Sequence, residues 1–438
     1  LAKRIDRHFL ARQYFGEGPY RTPSARGPFK GFYLRLVRML FGHGRRPFAV
    51  VLQCSPERNG SCWQWFRRLH FQGKIAMSQP VRYVPSVEQI QPDEAETIAA
   101  LEEQFERILD TTSKDYDHAV RSVHAKGHGI ARGRLTIADD LSPELAQGLF
   151  AAPGAYEAIL RFSTNAGDVL DDSVRLPRGV AIKIFGVEGE RLPGSEGDTT
   201  QDFILVNSPA FAAPDATKFL GNLKLLAATT DKAETGKKML SAVLRTFESA
   251  LEAVGTQSAM LSSLGGAKPV HPLGATYFSQ TPFRYGDYIA KFQLAPVSAI
   301  KDFAEETINA TGRPDAIREA MNELLASQGG VWELRVQLCT DLGTMPVEDS
   351  TVAWDEDVSP FRTVATLSVE PQRAWIYGES EKEENELAFA PWHGLAAHQP
   401  LGGINRARRG PYKFSADYRA KFNGCPIHES RVLADVGV

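Results

Sequence analysis

The chain has 438 residues, 43% hydrophobic and 24% charged side chains and a formal net charge of −3. That balance belongs to soluble globular proteins and excludes collagen-like, disulfide-scaffold and wholly disordered chains. No uninterrupted apolar run reaches the roughly 20 residues that span a bilayer, so no integral membrane segment is expected.

The four cysteines, Cys54, Cys62, Cys339 and Cys425, have no CxxC spacing. They are expected to be reduced, non-ligand thiols of a cytoplasmic protein, without a zinc site. The overall charge hides an asymmetry: residues 1–76 hold 15 Lys/Arg and 3 Asp/Glu, leaving 35 basic and 50 acidic groups in the other 362. The first segment is rich in Gly, Phe and Trp and lacks strand or helix periodicity. Such a stretch can touch nucleic acid or anionic lipid, can be a targeting leader, or can be an extension preceding a natural start at Met77. The last reading is preferred. Residues 1–76 are then a disordered or non-native extension, nucleic acid is not a partner, and 77–438 form the functional domain.

Pro92-Asp93-Glu94 is a helix-start signature, and Ile98, Leu101, Phe105 and Ile108 follow at helical spacing. From 120 to 207 the texture changes to short apolar runs, Ala158–Phe162, Val180–Phe185 and Phe203–Val206, punctuated by Gly, Pro and Asp, which predicts strands and tight turns. Residues 215–255 return to helix, with Leu240, Leu244, Phe247, Leu251 and Val254 on one face. A strand is expected from Tyr288 to Phe292, a helical insert near 298–326, and further strands at Val331–Cys339 and Thr363–Val369. A polar stretch, Glu379–Glu386, precedes the last functional segment. The mixture predicts one α+β domain around a curved or closed antiparallel sheet.

Few residues carry chemistry on their own. His124 alone reads equally as a satisfied core or surface histidine. With His128 it makes an HxxxH spacing, but Gly127 and Gly129 argue against the helix that a metal pair needs. Arg408 stands four residues before Tyr412, close enough on a helical turn to touch it, yet Arg406, Arg408 and Arg409 also read as a solvated basic face.

Their neighbourhoods change that reading. Arg121-Ser-Val123-His124-Ala-Lys-Gly127 resembles the distal-histidine motif of the haem-dependent catalase family. Ile159-Leu-Arg161-Phe-Ser-Thr164-Asn-Ala-Gly167 is similar to its RFS-T-x-A-G strand, and Val174-Arg175-Leu-Pro177-Arg178-Gly179-Val-Ala-Ile-Lys183 to its VRDPRGFAVKF segment. Gly330–Gln337 resembles the strand before the proximal region, Leu387-Ala-Phe389-Ala-Pro391 resembles its LAFxP lead-in, and Arg408 and Tyr412 reproduce its RxxxY spacing. These motifs follow in family order over roughly residues 95–420.

The resemblance implies a catalase-like antiparallel β-barrel core with surrounding helices, without the C-terminal helical or nucleotide-binding domain of the large catalases. It implies haem b as cofactor and Tyr412 as the axial ligand of its iron. A phenol must lose its proton to serve a ferric ion, and an adjacent guanidinium favours that loss. His124 is implied as the acid/base that moves a proton between peroxide oxygens. Arg121 and Arg161 match the family's propionate-binding arginines, Val123 flanks the distal histidine, and Phe211 is expected over the porphyrin. The partner is a small-molecule peroxide or hydroperoxide, and a homo-oligomer is left open.

Two departures bear on activity. Catalases usually place an asparagine on the distal side just before an aromatic strand; Gly197–Ile204 contains none, and Thr199 or Gln201 is expected to donate in its stead. The segment 391–406 also diverges and looks like the shorter catalase-related peroxidase branch. The wider group includes fatty-acid hydroperoxide isomerases of the allene oxide synthase kind, and Val123 leans away from them. A haem protein hydroperoxidase is therefore the first expectation, that isomerase the second, and a haem-binding protein with weak turnover the third.

Overall fold

The computed structural model describes residues 79–230 and 270–436. The extension at 1–76 and the helical face expected from Leu240 to Val254 lie outside the described residues. Five α-helices are described: α1 (Glu94–Tyr116), α2 (Ala216–Thr230), α3 (Ala316–Gln328), α4 (Glu379–Glu386) and α5 (Gly403–Asn423). The strands are β1 (Gly127–Ile137), β2 (Ala155–Thr164), β3 (Arg178–Phe185), β4 (Thr200–Val206), β5 (Tyr277–Phe278), β6 (Phe283–Tyr285), β7 (Tyr288–Val297), β8 (Gly330–Leu338) and β9 (Arg362–Val369).

Every strand pairing is antiparallel, in the order β5-β4-β3-β2-β1-β9-β8-β7-β6. A further β5–β7 pairing closes eight of these strands into a barrel and leaves β6 as a short flap on β7. Closure removes the open edges that would otherwise present unpaired N–H and C=O groups. The expected α+β barrel with surrounding helices is therefore the observed architecture.

Side chains alternate across the barrel wall with the period of two that a strand imposes. Leu160, Phe162, Ile182, Phe203, Phe292, Trp332 and Leu334 point into the core and are essentially inaccessible to water. Each such side chain contributes about 1.5–3 kcal/mol of burial free energy. The alternate positions on β2, β3 and β4 face outwards, and the register aligns Arg161 with Ala181 and Ala181 with Ile204. Two residues along, Ser163 faces Gly179 and Gly179 faces Val206. The functional surface is thus the outside of this part of the barrel.

Helices α1, α2 and α5 cover it. Leu101 and Phe105 of α1 pack with Ala216 and Leu220 of α2 and Ala407 of α5. Arg406 at the start of α5 bonds Glu88, Glu94 and Glu348, tying the helix to three separate parts of the chain. A second buried ionic group secures the segment after α4: Lys183 on β3 bonds Asp202 at 2.8 Å and also Glu429, and the Ala390 N–H donates to Asp202 Oδ2 at 2.9 Å.

Candidate functional site

An open cavity of about 540 Å3 lies between the outer face of β2–β4 and helix α5. His124, Arg121, Val123 and Arg161 line it, and so does Tyr412, roughly 290 residues later in the chain. Val180, Ala181, Ile204 and Leu205 give it an apolar floor, and Ala388 and Phe389 complete a side wall.

His124 precedes β1 with φ of +55°, in the left-handed region. A non-glycine residue there costs about 1–3 kcal/mol and persists only when its neighbours hold it. Here the His124 N–H donates to Asn165 O, the Ala125 N–H donates to Ala166 O, and Arg161 Nη2 donates to His124 O at 2.9 Å. The imidazole lies against the barrel at Gly179, where a Cβ would stand 2.4 Å from His124 Cε1. Its Nδ1 hydrogen-bonds Ser163 Oγ at 3.0 Å, which leaves Nε2 for a molecule in the cavity. Burial, followed by the Arg161, Arg408 and Arg121 cations, pushes the His124 pKa down to about 3. The ring is therefore neutral at ordinary pH.

Opposite the sheet, α5 presents Tyr412, Ser415, Ala416 and Arg419 to the cavity. These positions share one helix face by the 3.6-residue period. Arg408 Nη2 donates to Tyr412 Oη at 3.2 Å, with its guanidinium carbon 5.2 Å from the ring centre. Arg408 Nη1 also donates to Asn405 Oδ1 at 3.2 Å. Asn405 is completely buried and bonded to Thr281, Pro282 and Leu401, so it holds the guanidinium in place. The basic-face alternative fails for Arg408 and Arg406, whereas Arg409 is exposed and lies over Trp392.

The third wall is a cluster of arginines. Arg161 is 2% exposed, so it is no surface strand charge. Arg161 Nε donates to Glu384 Oε1 at 2.7 Å, and Arg121 bonds the other carboxylate oxygen. Arg419 donates to the carbonyls of Glu384 and Leu387, and its buried Nε has no partner among the described residues. Burial raises the Glu384 pKa, but Arg161 and Arg121 outweigh it and hold the carboxyl at about 2. Burial and Arg161 lower the Arg121 pKa, yet a guanidinium starts so high that it stays charged.

This donor set fits haem. Three guanidiniums face one carboxylate, a surplus of two positive charges beside an orphaned buried donor, and haem b carries two propionates. A phenol with a guanidinium at its oxygen stands on one wall and a neutral imidazole on another.

Several expected residues fall elsewhere. Phe211 packs on Phe219 with ring centres 5.2 Å apart and does not line the cavity. Gln201 spends its amide on Asp202 O and the Leu395 N–H, so it is no distal donor, and Thr199 is not in the lining either. No asparagine stands in the cavity lining among the described residues. Asn207 follows the Val206–Gly179 pair at the end of β4, and its Oδ1 accepts from the Arg178 N–H at 2.7 Å. His128 is buried on β1 with Nε2 bonded to Thr164 Oγ1, and no metal-binding cluster is found among the described residues. Arg419 and Glu384 went unnoticed in the sequence; Arg419 had a signal, seven residues after Tyr412 on one helix face.

The model of the catalase family matches residues 108–397. Catalase isozyme 2 of Cucurbita pepo is 24% identical over 290 residues, covering 62% of this chain and 55% of that protein. Catalase isozyme 3 of the same plant is 23% identical over 286 residues, with the same coverage. The chain thus spans about half the length of these curated relatives. Among solved structures, a fungal catalase has a TM-score of 0.53 at 21% identity, covering 73% of this chain and 64% of its own. Catalase A from Saccharomyces cerevisiae has a TM-score of 0.51 at 18% identity, covering 80% and 69%. The family match takes in His124 and Arg161 but stops before Tyr412, which the fold itself carries to the same cavity. Two thirds of the sequence and the closed barrel beneath it agree: this chain belongs to the catalase family.

Proposed function

We propose that this chain is a haem-dependent hydroperoxidase that cleaves the O–O bond of hydrogen peroxide or an organic hydroperoxide. The observation that carries the reading is the meeting, in one cavity, of a neutral imidazole seated on the barrel and a guanidinium-paired phenol on α5. Haem b, when bound, supplies the redox-active iron. Tyr412 Oη would hold that iron, with the Arg408 guanidinium beside it. Arg121, Arg161 and Arg419 would hold its propionates.

The remaining chemistry belongs to His124. Its Nε2 takes the proton from one peroxide oxygen and returns it to the departing oxygen, while the Ser163 bond at Nδ1 fixes the ring plane. The apolar floor of Val180, Ile204 and Leu205 keeps bulk water from competing for that proton.

The test is to supply hemin to the protein and record absorption, oxygen release from hydrogen peroxide and donor oxidation together. Haem binding with peroxide consumption supports the reading; a haem protein inert to hydrogen peroxide and to organic hydroperoxides overturns it.

Two further outcomes follow from the geometry. Because His124 is held neutral, kcat/KM should stay level from about pH 8 to about pH 5, where an unperturbed imidazole near pH 6.5 would have titrated. The folded-state pKa is depressed, so protonation, and with it the loss of activity, belongs nearer pH 3. A half-maximal loss at pH 6.5 would count against a buried neutral ring. Gly179→Ala places a methyl 2.4 Å from His124 Cε1 and 2.7 Å from Nδ1, so the ring must leave Ser163. Turnover should fall by about 100-fold with haem content unchanged, the scale of an ångström-sized misplacement. Wild-type turnover in this variant would show that the ring need not rest there.

A further inference from the structure

Glu384 lies at the carboxylate end of the site without lining the cavity. It is the sixth residue of α4, a helix with five acidic residues among eight. Glu384 is different: it is buried and fully engaged, one oxygen on Arg161 Nε and the other on Arg121 Nη1. Its backbone carbonyl accepts from Arg121 Nη2 at 3.0 Å and from Arg419 Nη1 at 3.3 Å. A single residue therefore touches all three guanidiniums. After these bonds each arginine keeps one nitrogen without a protein partner among the described residues: Arg121 Nε, Arg161 Nη1 and Arg419 Nε.

A cluster of three buried guanidiniums with no counter-charge is costly, and one with three counter-charges would have no use for an anionic ligand. One carboxylate leaves an intermediate state. We propose that Glu384 is a positioning residue for the cofactor: it holds the three arginines in place and sets their net charge at +2, matched to a porphyrin bearing two carboxylates. This rests on the haem reading above and extends it to selection among porphyrins by charge.

The consequence is a preference that follows the charge of the cluster. Apoprotein is titrated with hemin and with hemin dimethyl ester, whose carboxylates are capped, and the ratio of the two dissociation constants is read from the absorption change. Wild type should favour hemin. Glu384→Gln raises the cluster to +3 and should widen the preference by about tenfold, the scale of one charge-assisted bond. Glu384→Asp should return it to within about threefold of wild type.

Because an uncompensated cluster can prevent folding, a second pair of variants carries the same test. Arg419→Gln lowers the cluster to +1 and should narrow the preference; adding Glu384→Gln to it restores +2 and should bring the wild-type ratio back. A purely structural role would weaken both porphyrins alike and leave the ratio unmoved. If the double variant matches Arg419→Gln alone, or Glu384→Gln leaves the ratio unchanged or narrower, the proposal falls. If wild type binds neither porphyrin, the haem reading falls instead.

Discussion

Tyr412→Phe should give a folded protein that has lost most of its affinity for haem. The substitution removes one oxygen from a half-buried position on α5 and keeps the ring, so helix packing is preserved. Within the apoprotein it breaks one hydrogen bond, from Arg408 Nη2, worth about 1 kcal/mol. The iron, in contrast, loses its only protein ligand in the proposed arrangement. Outer-shell changes at metal sites typically cost 10–100-fold in affinity. Loss of the ligand itself should therefore exceed about 100-fold, and residual haem should lack a phenolate charge-transfer band. Titration of the variant with hemin, followed by absorption and thermal melting, measures both effects. An unchanged spectrum and affinity would remove Tyr412 from the iron and with it the proximal assignment.

His124→Ala should do the reverse, keeping haem and losing turnover. Among the described residues the imidazole makes one side-chain hydrogen bond, to Ser163, and its backbone carries a φ that alanine also tolerates poorly. Neither change reaches α5 or the arginines, so cofactor binding should survive. General acid/base catalysis is worth about 10²–10⁴-fold, and the variant should fall by that factor in peroxide consumption at matched haem content. His124→Gln can bond Ser163 but is a poor proton carrier, so it should fall as far. Full activity in either variant would assign the proton transfer to another group. With Tyr412→Phe, this separates the two walls: one substitution empties the site and the other leaves it occupied and idle.

Legibility in the sequence followed the range of the interactions involved. Strands β2, β3, β4, β7, β8 and β9 announce themselves because the apolar runs at 158–162, 180–185, 203–206, 288–292, 331–339 and 363–369 are local signals. Strands β5 and β6, of two and three residues, are too short to carry a period, yet β5 closes the barrel. The Arg408–Tyr412 contact is legible for the same reason as the strands, since four residues make one helical turn.

Residue type and order within this sequence therefore determined the α+β barrel and singled out His124, Tyr412, Arg121, Arg161 and Arg408, which meet at one cavity or beside it. Tertiary structure alone decided that Glu384 sits among Arg121, Arg161 and Arg419, that Phe211 turns to Phe219, and that His124 is neutral. Helical and strand periods act over a few residues and leave a trace in composition. Ion pairs and burial join groups more than 200 positions apart, and their free energy depends on distances and dielectric that exist only once the chain has folded.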